Sequence, residues 1–243
     1  MRDNRSMSQY PKALWFLLTS YVCVILLANW FDIRLIRVIG LETDAGTLIF
    51  PLTFLLSDLI TEVYGYKYAR RAIWTGILFN FLFILYGQLV VHLPSPSYAI
   101  ANNQSFDSLL GLNVRIIVAS TISYLCSEPL NSYIMAKLKI KTQGKMMSLR
   151  FVASTVIASL FDSFVFGTLA FYGTMPNHDL IKFNATMWLV KIIIEIFGLP
   201  LSLRAAAKLK RYEELDMYDN GTNFNIFSLD AAYASTNNKY GAV

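Results

Sequence analysis

Two carboxylates stand inside an otherwise oily run. In TDAGTLIFPLTFLLSDLITEVYGYKYARR, residues 43–71, Asp58 and Glu62 lie four apart among mostly apolar neighbours, so on a helix they share one face. A carboxylate at bilayer depth costs at least ~2.5 kcal/mol even on the lenient insertion scale, and its face must therefore look onto protein or water. Polar groups recur in three further apolar runs: Ser127, Glu128 and Asn131; then Arg150, Ser154, Asp162 and Ser163; then Lys191 and Glu195. Ser57 and Thr61 flank the first pair. Counted from the ends of the runs, Asp58, Glu128, Asp162 and Glu195 fall between the middle of the membrane and its cytoplasmic half. Four acids against Arg150 and Lys191 leave carboxylates free for a ligand, a cation or protons. The plainer alternative is mutual pairing: Lys191 with Glu195 at four-residue spacing, and Glu62 with Arg70 or Arg71. Packing alone, however, seldom requires so many desolvated charges.

Other chemistries find little support. There is no HExxH, GxSxG, glycine-rich phosphate loop or paired CxxC, and His92 and His178 lie near the ends of runs. Cys23 and Cys126 stand singly in apolar runs and are expected as buried free thiols. No metal, cofactor or disulfide is expected. Trp15, Trp74 and Trp188 read as interface anchors. Trp30 does too, but beside Asn29 it joins a stacking surface to an amide and is also a pocket candidate. Pro51, Pro129 and Pro200 each remove a backbone hydrogen bond within a run, which a membrane tolerates where protein or a cavity satisfies the freed carbonyl.

The elements that must position these groups are six runs long enough to cross a hydrocarbon core of ~30 Å: 13–33, 45–63, 72–92, 114–136, 149–172 and 185–206. With 55% hydrophobic residues, 15% charged and mean hydropathy +0.45, the chain is too apolar for an ordinary soluble domain. The fold class expected is all-α integral membrane, a bundle of six transmembrane helices. The first run lacks a cleavage pattern and is expected to stay as a helix. A net charge of +5 would suggest nucleic acid in a soluble protein. Here the basic residues fall between runs, so no direct nucleic-acid binding is expected.

Arg2, Arg5 and Lys12; Lys67, Arg70 and Arg71; Lys137, Lys139, Lys141, Lys145 and Arg150; and Arg204, Lys208, Lys210 and Arg211 fall on one side of the six runs. Only Arg34, Arg37, Arg115 and Lys182 fall on the other, which by the positive-inside rule makes both termini cytoplasmic and turns a loop at 93–113 outward. Residues 1–211 form the transmembrane domain, and 212–243 a turn-rich or disordered cytoplasmic tail.

The stretch 43–71, with EPLNSYIMAKLK, SLRFVASTVIASLFDSFVF, KIIIEIFGLP and the tail DMYDNGTNFNIF, resembles the queuosine precursor transporter family, also called vitamin-uptake-transporter-like; the likeness runs from about residue 26 to 227. Two departures are Asn131, where the family pattern favours Gln, and Asn225-Ile226-Phe227, where Asn-Pro-Phe is more familiar. The resemblance implies a six-helix importer in the bacterial inner membrane, similar in architecture to the substrate-binding subunits of energy-coupling-factor transporters. It would take up 7-cyano- or 7-aminomethyl-7-deazaguanine, or queuine, to supply tRNA queuosine modification by salvage. Its implied partners are this small deazapurine and membrane lipid, and a homo-oligomer is compatible.

A carboxylate can accept a forked pair from the guanine-like edge of such a base. On this expectation Asp58 or Glu62 takes the edge, and Asn131 and Ser163 complete the polar contacts. Phe54, Trp30 or Trp188 stacks on the ring, while Asp162 or Glu195 faces an aminomethyl cation. Asn29, Ser57, Glu128, Arg150, Ser154 and Lys191 complete the candidate pocket. The alternatives are a binding subunit that needs a separate energising complex and a membrane enzyme or assembly factor.

Overall fold

A computed structural model describes residues 11–38, 40–230 and 232–241. Arg2 and Arg5, counted above for orientation, lie outside them, as do tail residues 231 and 242–243. Six helices form the bundle: α1 (Leu14–Phe31), α2 (Pro51–Tyr64), α3 (Tyr66–Val91), α4 (Ile100–Lys141), α5 (Met147–Phe171) and α6 (Asn177–Glu213). All six are long and apolar enough to cross a membrane, α2 together with the 3-10 turn Gly46–Leu48 before it. The expected helical membrane bundle is therefore the observed one. Between α1 and α2 stands an antiparallel hairpin, β1 (Leu35–Val38) and β2 (Leu41–Asp44), with Leu35 opposite Asp44. Because the chain crosses six times, this hairpin marks one end of the bundle. The tail after α6 marks the other.

Local chemistry explains several boundaries. Pro51 occupies the first turn of α2, where its missing N–H would have had no partner and its fixed φ suits a helix start. It begins that helix and does not break the span, contrary to the sequence expectation. Gly65, at φ 87°, separates α2 from α3, and its N–H donates to the Thr61 carbonyl at 3.0 Å; a side chain there would strain the backbone and run into the Tyr233 ring. The basic residues Lys67, Arg70 and Arg71 form the first turns of α3. Pro129 and Pro200 do lie inside helices.

The expected loop at 93–113 shrinks to a short link, because α4 starts at Ile100. Its 42 residues span about 63 Å, far more than the membrane thickness. No proline follows Pro96 until Pro129, and Leu110 buries itself against the bundle, so the polar run ANNQSFDS continues as helix. Cys23 and Cys126 are not buried. Both lie on the outer surface, where an apolar thiol meets lipid as readily as it would a core.

The tail end is tightly tied. Glu213, the last residue of α6, accepts the backbone N–H groups of Lys12 (2.8 Å) and Ala13 (2.5 Å) and the Tyr64 hydroxyl (2.9 Å). One carboxylate thus joins α6 and α2 to the start of α1. The tail is turn-rich, as expected, but it is an ordered strap. Asp219 accepts the Tyr66 N–H at 3.1 Å and the Tyr233 hydroxyl at 2.5 Å. The Arg70 guanidinium donates to the carbonyls of Asn223 (3.1 Å), Asn225 (2.9 Å) and Asp230, so Arg70 holds the tail and is not a partner for Glu62.

Candidate functional site

The polar residues of the bundle form three buried layers along its axis. At the tail end, Glu62 is saturated. Arg150 grips it as a fork, Nε to Oε2 at 2.8 Å and Nη2 to Oε1 at 2.6 Å, the strongest carboxylate geometry available to a side chain. Lys210 donates to the same Oε1 at 2.5 Å. Lys139 lies 3.9 Å away and donates to the carbonyls of Glu62 (2.5 Å) and Met217 (2.7 Å). Asp216 of the tail completes the cluster, its Oδ1 at 2.8 Å from Lys139 and 2.7 Å from Lys210. Burial alone would raise the Asp216 carboxyl, but the two ammonium groups hold it below its ordinary range. Glu62 and Arg150, both expected in a ligand pocket, therefore belong to a plug in which three cations share two carboxylates.

One turn towards the middle the situation reverses. Asp58 accepts a hydrogen bond from Asn131 Nδ2 on one oxygen, at 2.7 Å; among the described residues its other oxygen has no partner, nor has Asn131 Oδ1. Glu128 on α4 and Glu195 on α6, both buried and both close enough to Asp58 for their charges to act on it, have no hydrogen bond to either carboxyl oxygen. Hydroxyls of Thr53, Ser57 and Tyr21 approach Glu128, and that of Thr155 approaches Glu195, yet Thr53 donates to the Phe50 carbonyl, Ser57 meets Ser132 and Tyr21 meets Tyr124. Thr61, Thr155, Ser159 and Ser163 are likewise buried and unpartnered. Buried polar groups are normally satisfied, so a cluster of exceptions needs a cause. Such a set can receive a solute rich in hydrogen-bond donors.

The third layer lies toward the hairpin. Lys191 pairs with Asp162 and stands 4.7 Å over the Phe50 ring. The Lys191–Glu195 pair of the plainer alternative does not form, which is why Glu195 is left alone. Ser127 donates to the other Asp162 oxygen at 3.2 Å. Asp32 and Asp44 are buried nearby. Asp44 accepts the Thr47 N–H (2.6 Å) and hydroxyl (2.7 Å), so it caps the turn that leads into α2. A cavity of about 10 Å³ opens among Asp32, Thr47, Phe50, Ser120, Ser123, Asp162, Phe166 and Lys191, room for about one water. The bundle is closed around its polar centre.

The remaining sequence candidates fall around these layers. Phe54 is fully buried, edge-on to Phe50 at 5.7 Å. Ser57 hydrogen-bonds Ser132 at 3.2 Å. Ser154 donates back to the Phe151 carbonyl, so its hydroxyl is spent within its own helix. Asn29 donates to Asn80 at 2.9 Å and accepts from Ser120 at 2.5 Å, tying α1 to α3 and α4. Trp30 turns outward, edge-on to Phe83 at 6.0 Å, and does not face the polar centre. Trp188 is half-buried and donates to the Val156 carbonyl.

Sequence reasoning missed Asp32, Asp44, Tyr21, Tyr124, Thr155, Ser159, Lys139 and Asp216. Thr155, Ser159 and Asp162 carried a readable signal, since spacing of four and then three places them on one helix face. Tyr21 and Tyr124, whose hydroxyls meet at 2.7 Å, gave none. Among the described residues no group of His, Cys, Asp and Glu has a metal-holding arrangement.

Comparison with known proteins supplies independent information. A family described as "Putative vitamin uptake transporter" matches residues 44–205. A "Probable queuosine precursor transporter" of Bacillus subtilis (strain 168) is 25% identical over 181 residues, 73% of this chain and 78% of the relative. The "Queuosine precursor transporter" of Escherichia coli (strain K12) is 27% identical over 204 residues, 81% and 87% of the two chains. No solved structure matches significantly. The matched segment contains the middle layer entire.

Proposed function

This chain belongs to the vitamin uptake transporter family, and from that premise we propose that it imports a queuosine-precursor base, a 7-deazaguanine bearing a cyano or aminomethyl group. The observation that carries the reading is the middle layer: Asp58, Glu128, Asn131 and Glu195, buried on three helices with unsatisfied oxygens. A guanine-like edge offers a ring N–H and an exocyclic amino group, which the free Asp58 oxygen and Asn131 Oδ1 can accept. Ser163 and Ser159 supply donors for the ring carbonyl, Phe54 a flat apolar face, and Glu195 or Glu128 a counter-charge for an aminomethyl cation. Glu62 no longer competes for the edge, because its oxygens are taken by Arg150 and Lys210.

In this reading residues 1–211 are the transport body, placed in the bacterial inner membrane with the tail end cytoplasmic, where the excess of Lys and Arg lies. The tail 212–243 straps that end. The closed bundle is the occluded stage of an alternating-access cycle. The hairpin end opens to admit the base, and the Glu62–Arg150 plug must part to release it inward.

The test is queuosine in the tRNA of cells that cannot make the precursor, grown on a low external supply. The chain should restore it, and Asp58→Asn should not, at equal membrane expression. Full restoration by Asp58→Asn removes Asp58 from the site. Uptake by purified chain alone in proteoliposomes separates this reading from a subunit that needs an energising complex and from an enzyme or assembly factor, neither of which moves solute unaided.

A further inference from the structure

Asp32 and Asp44 are the acids that neither the middle layer nor the tail-end plug uses. Asp32 closes α1, Asp44 ends β2, and both are at least 96% buried. Their surroundings differ. Asp44 receives two donors from Thr47, whereas no hydrogen bond to the Asp32 carboxyl is found among the described residues, and that carboxyl lines the small cavity beside Asp162 and Lys191. It also lies hard against Gly46: a Cβ there would overlap Asp32 Oδ1. The charged groups acting on Asp32 are Asp44 from the hairpin, Asp162 from α5 and Lys191 from α6. Lys191 is already committed to Asp162, so Asp32 and Asp44 are both left without a counter-charge of their own.

Two carboxylates brought together this way cannot both stay ionised. With one proton they attract, because a protonated Asp32 can donate to Asp44. Without it they repel. The partners are well placed for that switch to matter, since Asp32 terminates α1 while Asp44 grips the turn that leads into α2, fourteen residues before Asp58. We propose that Asp32 and Asp44 form a proton-binding pair whose occupancy latches the hairpin end shut, coupling solute import to one proton taken from the outer side. The inference rests on the transport reading above.

The experiment uses the full chain in proteoliposomes with labelled 7-aminomethyl-7-deazaguanine. An acid-outside gradient should drive accumulation of about tenfold per pH unit for one coupled proton, and a sodium gradient should drive none. Asp32→Asn, a permanent mimic of the protonated form that keeps the hairpin end latched, should lose gradient-driven accumulation and exchange label with internal unlabelled base far more slowly than wild type, while keeping the wild-type unfolding temperature in detergent. Asp44→Asn, which leaves Asp32 no carboxylate to share a proton with while an amide oxygen can still cap Thr47, should lose accumulation as well and guards against a folding defect peculiar to the first variant. Wild-type accumulation indifferent to pH, accumulation driven by sodium, or gradient-driven accumulation in both variants overturns the coupling pair. Loss of wild-type exchange as well as accumulation overturns the transport reading itself, and the pair with it.

Discussion

Asp58 and Glu62 are the same chemistry one helical turn apart on α2, and the protein treats them oppositely. Glu62 meets a forked arginine and a lysine, with a second lysine near; Asp58 meets one amide and is then left with a bare oxygen beside two other unpartnered acids. The first arrangement is one a stable fold selects, since the buried carboxylate meets more than one opposite charge. The second lowers stability for nothing unless something arrives to satisfy it. The difference teaches that membrane burial of a carboxylate does not by itself mark a ligand site. What marks it is burial without partners.

The sharpest way to break this comparison is Glu62→Ala. Removing that carboxylate strands Arg150 and leaves Lys139 and Lys210 to share Asp216, and a broken buried ion pair should cost about 3–5 kcal/mol, read as a large drop in thermal stability in detergent. Asp58→Asn should leave that stability nearly untouched and lower base uptake by roughly ten- to a hundredfold, the worth of one or two charge-assisted hydrogen bonds. If the two variants exchange phenotypes, the assignment of layers is inverted.

Glu195→Gln sharpens the division within the middle layer. It removes an uncompensated charge, so stability should hold or rise slightly, while uptake of the aminomethyl base should fall more than uptake of the cyano base. Competition between the two substrates measures it. At the tail end, Asp216 binds its proton less readily in the folded protein than in the unfolded chain, because Lys139 and Lys210 face it. Its stabilisation is therefore complete above its unfolded pKa of about 3.9 and is lost as pH falls through the lower folded value. Protease cutting of the tail should increase across that acid window and lose that component in Asp216→Asn. The smallest effect belongs to Tyr233→Phe, which deletes the hydrogen bond to Asp219 and the one its oxygen accepts from the Lys67 N–H and should loosen the strap by about 1–2 kcal/mol, seen as faster hydrogen exchange at Tyr66 and Lys67.

Much of the scaffold was legible because oil and water sort residues by type. Six apolar runs became six helices, and the misplaced boundaries came from polar stretches that helices can carry when one face is buried, as at Leu110, or from a proline that starts a helix, as at Pro51. The polar candidates on α2, α4, α5 and α6 were legible for the same reason, since an acid in an apolar run stands out. Their pairing was not. Lys191 is four residues from Glu195 yet takes Asp162, twenty-nine residues away on α5, and Arg150 reaches back to Glu62 across the bundle.

The amino-acid order alone determined that this chain lies in a membrane, how many times it crosses, and which charged groups would have to be hidden there, because each follows from the transfer cost of individual residues or short windows. Only the tertiary structure decided which hidden charges cancel and which remain open, and it brought Asp32 beside Asp44 around a hairpin. Charge compensation over a few ångströms depends on how helices far apart in sequence are packed, and no local pattern encodes that distance.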